Sequence, residues 1–243
     1  YNGLVSGLTG IFVNIGSLVG SMLNDTLNGL NLAAEWRISG TAAGYYTIGA
    51  MVLSFASFEI LNGGSDADQF ALNDGVIFNG SIDAGAGKDT LSFAAFSTAR
   101  SISLTSISIN GFSGTDAAIT GGFAGINDIV GGNASDMLTG LASGQWNING
   151  TNSGNYVVSG GTLGFSSVKN LTGGTGADTF IFAVGASVSG VLNGAGGTDL
   201  LDYSAFVTGV TVSLAAGTAS ATGGVTNIEN VTGGTVADDI TAD

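Results

Sequence analysis

Residues 173–181 read GGTGADTFI, and the organisation of the chain follows from this stretch. Its glycines, Gly173, Gly174 and Gly176, let the backbone turn sharply, because glycine adopts positive φ without steric cost. Asp178 places a carboxylate in the turn. The β-branched and aromatic residues that follow favour a strand, since such side chains suit a pleated, half-buried surface. The stretch therefore predicts a glycine turn with an aspartate at its sixth position, leading into a β-strand.

The same turn recurs along the chain in degraded form. Its copies begin at Gly20, Gly63, Ala84, Gly131, Gly173, Gly194 and Gly233. Their spacings are close to one or two units of about 21 residues. A unit of this size, holding two or three short strands, is typical of one coil of a β-solenoid, in which alternate residues face a core that stacks coil on coil.

A longer repeat of about 110 residues contains these turns. At this offset Trp36 aligns with Trp146, and Phe70 aligns with Phe180. We therefore expect one continuous domain over residues 1–243: repeat 1 at about 19–128, repeat 2 at about 129–230 and the start of a third at about 231–243. The predicted fold is an all-β, parallel β-solenoid (β-helix- or β-roll-like) of roughly eleven to twelve coils of about 21 residues.

Two local features complete this interpretation. A weak helix candidate spans residues 27–36, where apolar residues recur at helical spacing. Tyr1 opens inside an apolar pattern, and Asp243 closes just after a repeat turn. This arrangement is what a piece of a longer protein would show.

Composition excludes several classes of function. Eighteen acidic residues face four basic ones, for a net charge of −14, so nucleic acid and anionic membranes are poor partners. No run of eighteen apolar residues predicts membrane insertion. Histidine and cysteine are absent, and the four basic residues do not recur between repeats. We therefore expect no enzyme, although a paired-carboxylate glycosidase remains open.

The nonapeptide matches the G-G-x-G-x-D-x-U-x pattern of calcium-binding β-helix repeats. The chain therefore resembles the RTX, or haemolysin-type, calcium-binding repeat family of large secreted bacterial proteins. Residues 202–234 are similar to the long repeat arrays of large bacterial surface adhesins. The likeness departs from the family where turns stand singly rather than in tandem, and where Asp66 replaces the third glycine. It implies a secreted, non-catalytic protein at a bacterial cell surface, with Ca²⁺ held by turn carbonyls and aspartates.

The strongest predicted calcium ligands are two pairs of aspartates, the members of each pair lying one unit apart, together with the turn glycines. They are Asp68, Asp89, Asp178, Asp199, Gly173, Gly174, Gly176, Gly194 and Gly196. Weaker candidates are Asp25, Asp66, Asp136, Asp202 and Asp238. Carboxylates ~5 Å apart on adjacent coils repel by roughly 3 kcal/mol, which a bound cation would reverse. The alternatives are a protonated member, a pair splayed into solvent, or aspartates that only bond their own turns.

Two functional hypotheses follow. In the first, the chain is a structural segment of a secreted bacterial surface protein or extracellular filament, a calcium-associated rod that stacks end to end through its exposed strand edges. In the second, it is a calcium-dependent adhesive or carbohydrate-binding module of a large adhesin, directed at cell-surface or matrix polysaccharide.

Overall fold

The computed structural model describes residues 15–242, and all regular secondary structure in this range is β. No helix there is available to cross a membrane. The strands are β1 Ser17–Val19, β2 Thr26–Asn28, β3 Glu35–Gly40, β4 Ala43–Ile48, β5 Met51–Ala56, β6 Ile60–Gly64, β7 Gln69–Leu72, β8 Ser81–Gly85, β9 Thr90–Ser92, β10 Ser101–Ser108, β11 Gly111–Asp116, β12 Ile119–Ile126, β13 Asp128–Val130, β14 Met137–Thr139, β15 Gln145–Gly150, β16 Ser153–Val158, β17 Gly161–Ser166, β18 Asn170–Thr172, β19 Thr179–Phe182, β20 Val188–Asn193, β21 Leu200–Asp202, β22 Thr211–Ser213, β23 Thr218–Ala219, β24 Thr222–Thr226, β25 Asn230–Thr232 and β26 Asp239–Thr241.

These strands form two long sheets of thirteen and ten strands and a short third sheet of three. The chain alternates between the two long sheets, and most pairings between successive passes are parallel. Side chains alternate in and out along each strand, as Trp36 and Ile38 show in β3, where both are buried between exposed neighbours. The inward residues form one hydrophobic core. The all-β, mostly parallel arrangement is consistent with a β-solenoid-like architecture.

The prediction of one uniform coil length, and with it the predicted number of coils, is wrong. The expected offset of one unit holds where Phe70 pairs with Leu91, and where Leu171 pairs with Leu192. Elsewhere the offset is larger: Leu91 pairs with Ile129, nearly two units further along the chain. The extra residues are not weak additional coils. They form antiparallel insertions within the sheets.

Each insertion is a three-stranded meander that fills a gap the chain has left open. After β2, the chain forms β3 and leaves room for two strands between β3 and β1. Strand β4 then pairs antiparallel with β3, and β5 pairs antiparallel with β4 and parallel with β1, which fills the gap. Strands β15, β16 and β17 repeat this arrangement in the thirteen-stranded sheet, and β10, β11 and β12 build it into the ten-stranded one. Gly49 and Gly160 take positive φ at the turns that end β4 and β16, as tight hairpins require.

The short third sheet follows the same plan. Strand β22 pairs antiparallel with β23 and parallel with β26, as β10 pairs with β11 and β14. The backbone N–H of Val225 in β24 donates to the carbonyl of Gly217, at a distance of 2.9 Å, next to β23. The short sheet therefore lies at the end of the ten-stranded one.

The helix candidate at residues 27–36 is also wrong. Leu27 belongs to β2 and pairs with Leu61, while Trp36 belongs to β3 and pairs with Phe70. Both apolar side chains enter the core, but from different sheets. Between them, Gly29 passes so close to the next coil that a Cβ there would lie 2.2 Å from the Gly63 carbonyl oxygen. Pairing with the next coil replaces the hydrogen bonds of a helix.

Candidate functional site

The predicted ligand aspartates lie inside the protein. Five of them are at most 3% exposed: Asp68, Asp89, Asp136, Asp178 and Asp199. Each one immediately precedes a strand, namely β7, β9, β14, β19 and β21. The turn therefore delivers the carboxylate into the interior just before the chain joins the sheet. The alternative in which paired carboxylates splay into solvent is wrong.

In the first repeat, these carboxylates accept backbone N–H groups from the neighbouring coil. The N–H of Ala34 donates to Oδ1 of Asp68 at 3.0 Å, and the N–H of Asp68 donates to Oδ1 of Asp89 at 2.7 Å. The N–H of Asp89 then donates to Oδ1 of Asn127 at 2.8 Å. We call Asp68, Asp89 and Asn127 the first acceptor column, because each member caps a backbone donor that no strand partner reaches.

The second repeat builds an equivalent column from Asp178, Asp199 and Glu229. Gly144 donates its N–H to Oδ1 of Asp178 at 2.7 Å, and Asp178 donates to Oδ1 of Asp199 at 2.7 Å. The N–H of Asp199 donates to Oε2 of Glu229 at 2.8 Å. The two candidate pairs that the sequence places on adjacent coils are thus linked directly, backbone to carboxylate.

The last member of each column shows what the position requires. The first column ends on an amide, Asn127, and the second on a carboxylate, Glu229, in the same role. Glu59 does likewise for the N–H of Asp25, at 3.1 Å. Oxygen acceptance is common to all of them, whereas negative charge is not. Sequence reasoning missed these three residues because they share no residue type with the aspartates; their position just before β6, β13 and β25 was the available signal.

The predicted turn glycines serve close contact between coils. Gly173, Gly174 and Gly176 do not take positive φ, so the conformational reason expected for them is wrong. A Cβ on Gly173 would lie 2.5 Å from Oδ2 of Asp178, and a Cβ on Gly194 would lie 1.9 Å from the Asn227 carbonyl oxygen. Any larger residue would push the coils apart.

The backbone N–H groups of these glycines are used in the turns. Gly174 donates to Oδ2 of Asp178 at 2.7 Å. Gly196 donates to the carbonyl of Gly174 at 3.1 Å, which binds the two predicted glycine turns to each other. The glycine turn and its aspartate therefore form one hydrogen-bonded unit.

Burial changes the acidity of the columns. It raises the pKa of Asp68 from 3.8 to about 7, with the neighbouring Asp89 carboxylate adding to the shift and backbone donation from Ala34 opposing it. Burial likewise raises the pKa of Asp89 and of Asp178 to about 6, and raises the pKa of Asp199. Removal from water disfavours the charged form of a carboxyl group. In the folded protein, these aspartates are therefore protonated at a higher pH than aspartates in water.

One oxygen atom of several column members lacks a well-formed hydrogen bond. Oδ2 of Asp68, Asp89 and Asp199 is buried and has no such partner. A buried acceptor without a donor is costly, and protonation or a cation would relieve that cost. These three atoms are the feature of the columns most compatible with an ion.

The rest of the donor set fits calcium poorly. Ca²⁺ takes six to eight oxygen ligands, whereas the groups that face the Oδ1 atoms of the columns are N–H donors. Within residues 15–242, no group of three or more acidic, histidine or cysteine side chains is placed to hold a metal. Calcium binding at the aspartates and turn glycines stays a prediction.

The weaker candidates divide into two groups. Asp136 accepts N–H groups from Arg100 and Gly132, Asp238 accepts one from Val210, and Asp25 accepts one from Ser21. Asp136 and Asp238 therefore accept from a neighbouring coil as the column members do, whereas Asp25 accepts only within its own turn. By contrast, Asp66 is exposed, and Asp202 only accepts the N–H of Ser204 in a local turn at 2.7 Å. The structure does not bring these two into the columns.

No known protein family matches the chain, and no curated protein or solved structure is significantly similar to it. The likeness to RTX repeats therefore rests on the nonapeptide at residues 173–181 and its degraded copies. A functional assignment has to come from the geometry of the chain itself.

Proposed function

We propose that the chain is a β-solenoid rod that serves as a structural segment of a secreted bacterial surface protein or extracellular filament. The observation that carries this proposal is the continuity of the sheets and core through both repeats. Thirteen strands at the usual ~4.8 Å spacing extend over roughly 58 Å. A protein built this way is elongated and displays repeated strands along its surface.

The acceptor columns support a structural role for the aspartates. Each column bond joins one coil to the next at the corner where the sheet ladder is interrupted. A backbone N–H left unpaired there would cost about 1–3 kcal/mol. The columns therefore hold the coils in register, and the chain uses the aspartate of its repeated turn to do so.

A cation-bound state of the same rod is the second candidate, and the buried Oδ2 atoms of Asp68 and Asp89, which lack a well-formed hydrogen bond, favour it. A cation next to these atoms would neutralise carboxylates that burial otherwise drives towards protonation. End-to-end association through exposed strand edges belongs to the same proposal. Light scattering at rising protein concentration, with calcium and with EDTA, tests association: we expect the mass to rise with concentration, and a constant monomeric mass would contradict it.

The surface role is tested by immunogold labelling of the source cells with antibodies raised against this chain. We expect gold particles on the cell surface or on fibres leading away from it, in intact and unpermeabilised cells. Labelling that appears only after permeabilisation, and lies inside the cell, would contradict a secreted structural role.

A further inference from the structure

We propose that the outer face of the first repeat carries a binding groove for a neutral glycan chain. This goes beyond the structural role and does not depend on it, because Arg37 and Tyr45, the side chains on which it rests, contribute nothing to the columns. It names a site and a ligand class for the adhesive hypothesis.

The groove lies on strands β3, β4 and β5, where the antiparallel meander presents a broad surface. Its volume is about 440 Å³, and its walls include Glu35, Arg37, Tyr45, Val52 and Asn73. A second groove of about 550 Å³ adjoins it at Glu35 and extends across the starts of β3, β7 and β9. Each has a volume within the range of small-molecule sites, and together they form a track suited to a chain of linked units.

The side chains of the groove have the chemical character that suits a sugar ligand. Tyr45 is 44% exposed and stands opposite Arg37 in the β3–β4 pairing. An exposed tyrosine offers a flat apolar ring and a hydroxyl, which suits the apolar face of a pyranose. Nε of Arg37 donates to Oδ1 of Asn73 at 3.1 Å, which fixes the guanidinium beside the groove. With the Glu35 carboxylate, the set both donates and accepts hydrogen bonds, as sugar hydroxyls do.

The overall charge disfavours an anionic ligand, and the balanced charge of the groove favours neither sign. The chain carries a net charge of −14, so an anionic polymer is repelled at long range. Within the groove, the charges of Glu35 and Arg37 offset each other. A folded protein partner would need roughly 20–30 contact residues on each side, whereas seven residues line this groove. A neutral, hydroxyl-rich chain meets all three conditions.

The second repeat provides an internal control. The residues equivalent to Glu35, Arg37 and Tyr45 are Gln145, Asn147 and Asn155. There the amides satisfy one another: Gln145 Nε2 donates to Asn147 Oδ1 at 2.7 Å, and Asn147 Nδ2 donates to Asn155 Oδ1 at 2.8 Å. This face has no aromatic ring at these positions and its polar groups are already paired.

The test is native affinity electrophoresis in gels that each contain one neutral polysaccharide: laminarin, hydroxyethylcellulose, dextran, galactomannan or mannan. Polygalacturonate is the anionic comparison. We expect at least one neutral polymer to slow the wild-type protein, and Tyr45→Asn to weaken that binding about ten-fold, since one stacked ring contributes up to that factor. Asn155→Ala, the matched variant in the second repeat, should bind like the wild type.

Four results would overturn the proposal. The first is no retardation in any of the five neutral polymers, and the second is equal retardation of the wild type and Tyr45→Asn. The third is stronger binding of polygalacturonate than of the neutral polymers. The fourth is a wild-type dimer that Tyr45→Asn dissociates, which would assign the face to a second copy of the chain. Arg37→Asn, which likewise installs the residue of the second repeat, provides an independent variant should Tyr45→Asn alter the circular dichroism melt. Because surface labelling of cells does not depend on Tyr45, failure here and failure of the structural role are distinguishable.

Discussion

Around their buried tryptophans, the two repeats are alike inside and different outside. In each, a tryptophan lies 4.3 Å from a tyrosine ring and stacks on a phenylalanine of the next coil. The inward aromatic residues of this cluster are identical: Trp36, Tyr46, Phe55 and Phe70 in the first repeat, and Trp146, Tyr156, Phe165 and Phe180 in the second. The outward positions between them change from Arg37 and Tyr45 to Asn147 and Asn155.

This difference separates the inward residues that the fold requires from the outward residues that can change without loss of the fold. Inward rings pack against the coils before and after them, so a substitution there disturbs the packing of both neighbouring coils. An outward residue contacts only its neighbours on one face. The expected effects of mutation should follow this division, with large and similar losses inside and small ones outside.

The largest effect is expected from removal of the buried tryptophans. Trp36→Ala and Trp146→Ala should each lower the free energy of unfolding by about 3–5 kcal/mol, because each leaves a large cavity in a stacked aromatic cluster. Urea denaturation followed by circular dichroism measures both. A loss for one variant that is several-fold smaller than for the other would break the equivalence of the two interiors.

The next effect concerns a feature that only the first repeat has. Arg100 forms a buried ion pair with Asp116 and lies over the Phe96 ring at 4.7 Å, whereas Val210 occupies the equivalent position in the second repeat. Arg100→Val should cost about 3 kcal/mol in urea denaturation, because it leaves the Asp116 carboxylate buried without its cation.

A second change sharpens this prediction. In the double variant Arg100→Val with Asp116→Asn, the unpaired charge is gone, while an amide oxygen can still accept the N–H of Ala118. We expect the double variant to recover at least half of the lost stability. Equal stability of the single and double variants would show that the cost comes from lost packing of Arg100 on the rings.

A smaller effect tests the columns. Asp68→Ala removes the acceptor for the Ala34 N–H and should cost about 1–3 kcal/mol at pH 8. Asp68→Asn keeps an oxygen acceptor without charge, as Asn127 does naturally, and should be at least as stable as the wild type. Asp178→Ala and Asp178→Asn are the matched pair in the second repeat. Destabilisation by the asparagine variants, abolished by calcium removal, would indicate ion ligands instead.

The smallest effect is expected on the outer face. The double variant Arg37→Asn with Tyr45→Asn gives the first repeat the surface of the second. Its melting midpoint should stay close to that of the wild type, with a change in stability of about 0.5 kcal/mol or less, because both side chains are exposed. A loss comparable to that of Trp36→Ala would show that the outer face belongs to the folding unit.

The sequence allowed the inward positions and the aspartate turns to be predicted, because both recur at fixed offsets. It did not reveal the antiparallel meanders. Alternation with a period of two residues is the same in parallel and antiparallel strands, so the direction of β4 and β16 leaves no mark in the pattern. For that reason, the longer spacings between turns, such as the one from Gly20 to Gly63, predict two plain coils where the structure has a meander.

The chemistry of the aspartates was harder to predict than their position. Whether Asp89 faces an N–H group or a carbonyl depends on the backbone of Asp68, one unit earlier in the chain, and on how the two coils are aligned. A calcium-type motif and a hydrogen-bond acceptor use the same glycines and the same carboxylate. Only the geometry of the neighbouring coil distinguishes them.

The most direct test of the acceptor columns is a thermal melt by circular dichroism at pH 5 and pH 8 in EDTA, repeated with calcium at pH 8. Burial raises the pKa of folded Asp68, Asp89 and Asp178 above the ordinary value of 3.8. Their stabilising contribution is therefore complete below about pH 4 and is lost as the pH rises through about 6 to 7.

We predict a higher midpoint at pH 5 than at pH 8, equivalent to at least about 2 kcal/mol. The Asp68→Asn, Asp89→Asn double variant should show a weaker pH dependence, and calcium should have little effect on the wild type. A lower midpoint at pH 5, together with a sharp rise on adding calcium at pH 8, would contradict this account and make the ionised aspartates cation ligands.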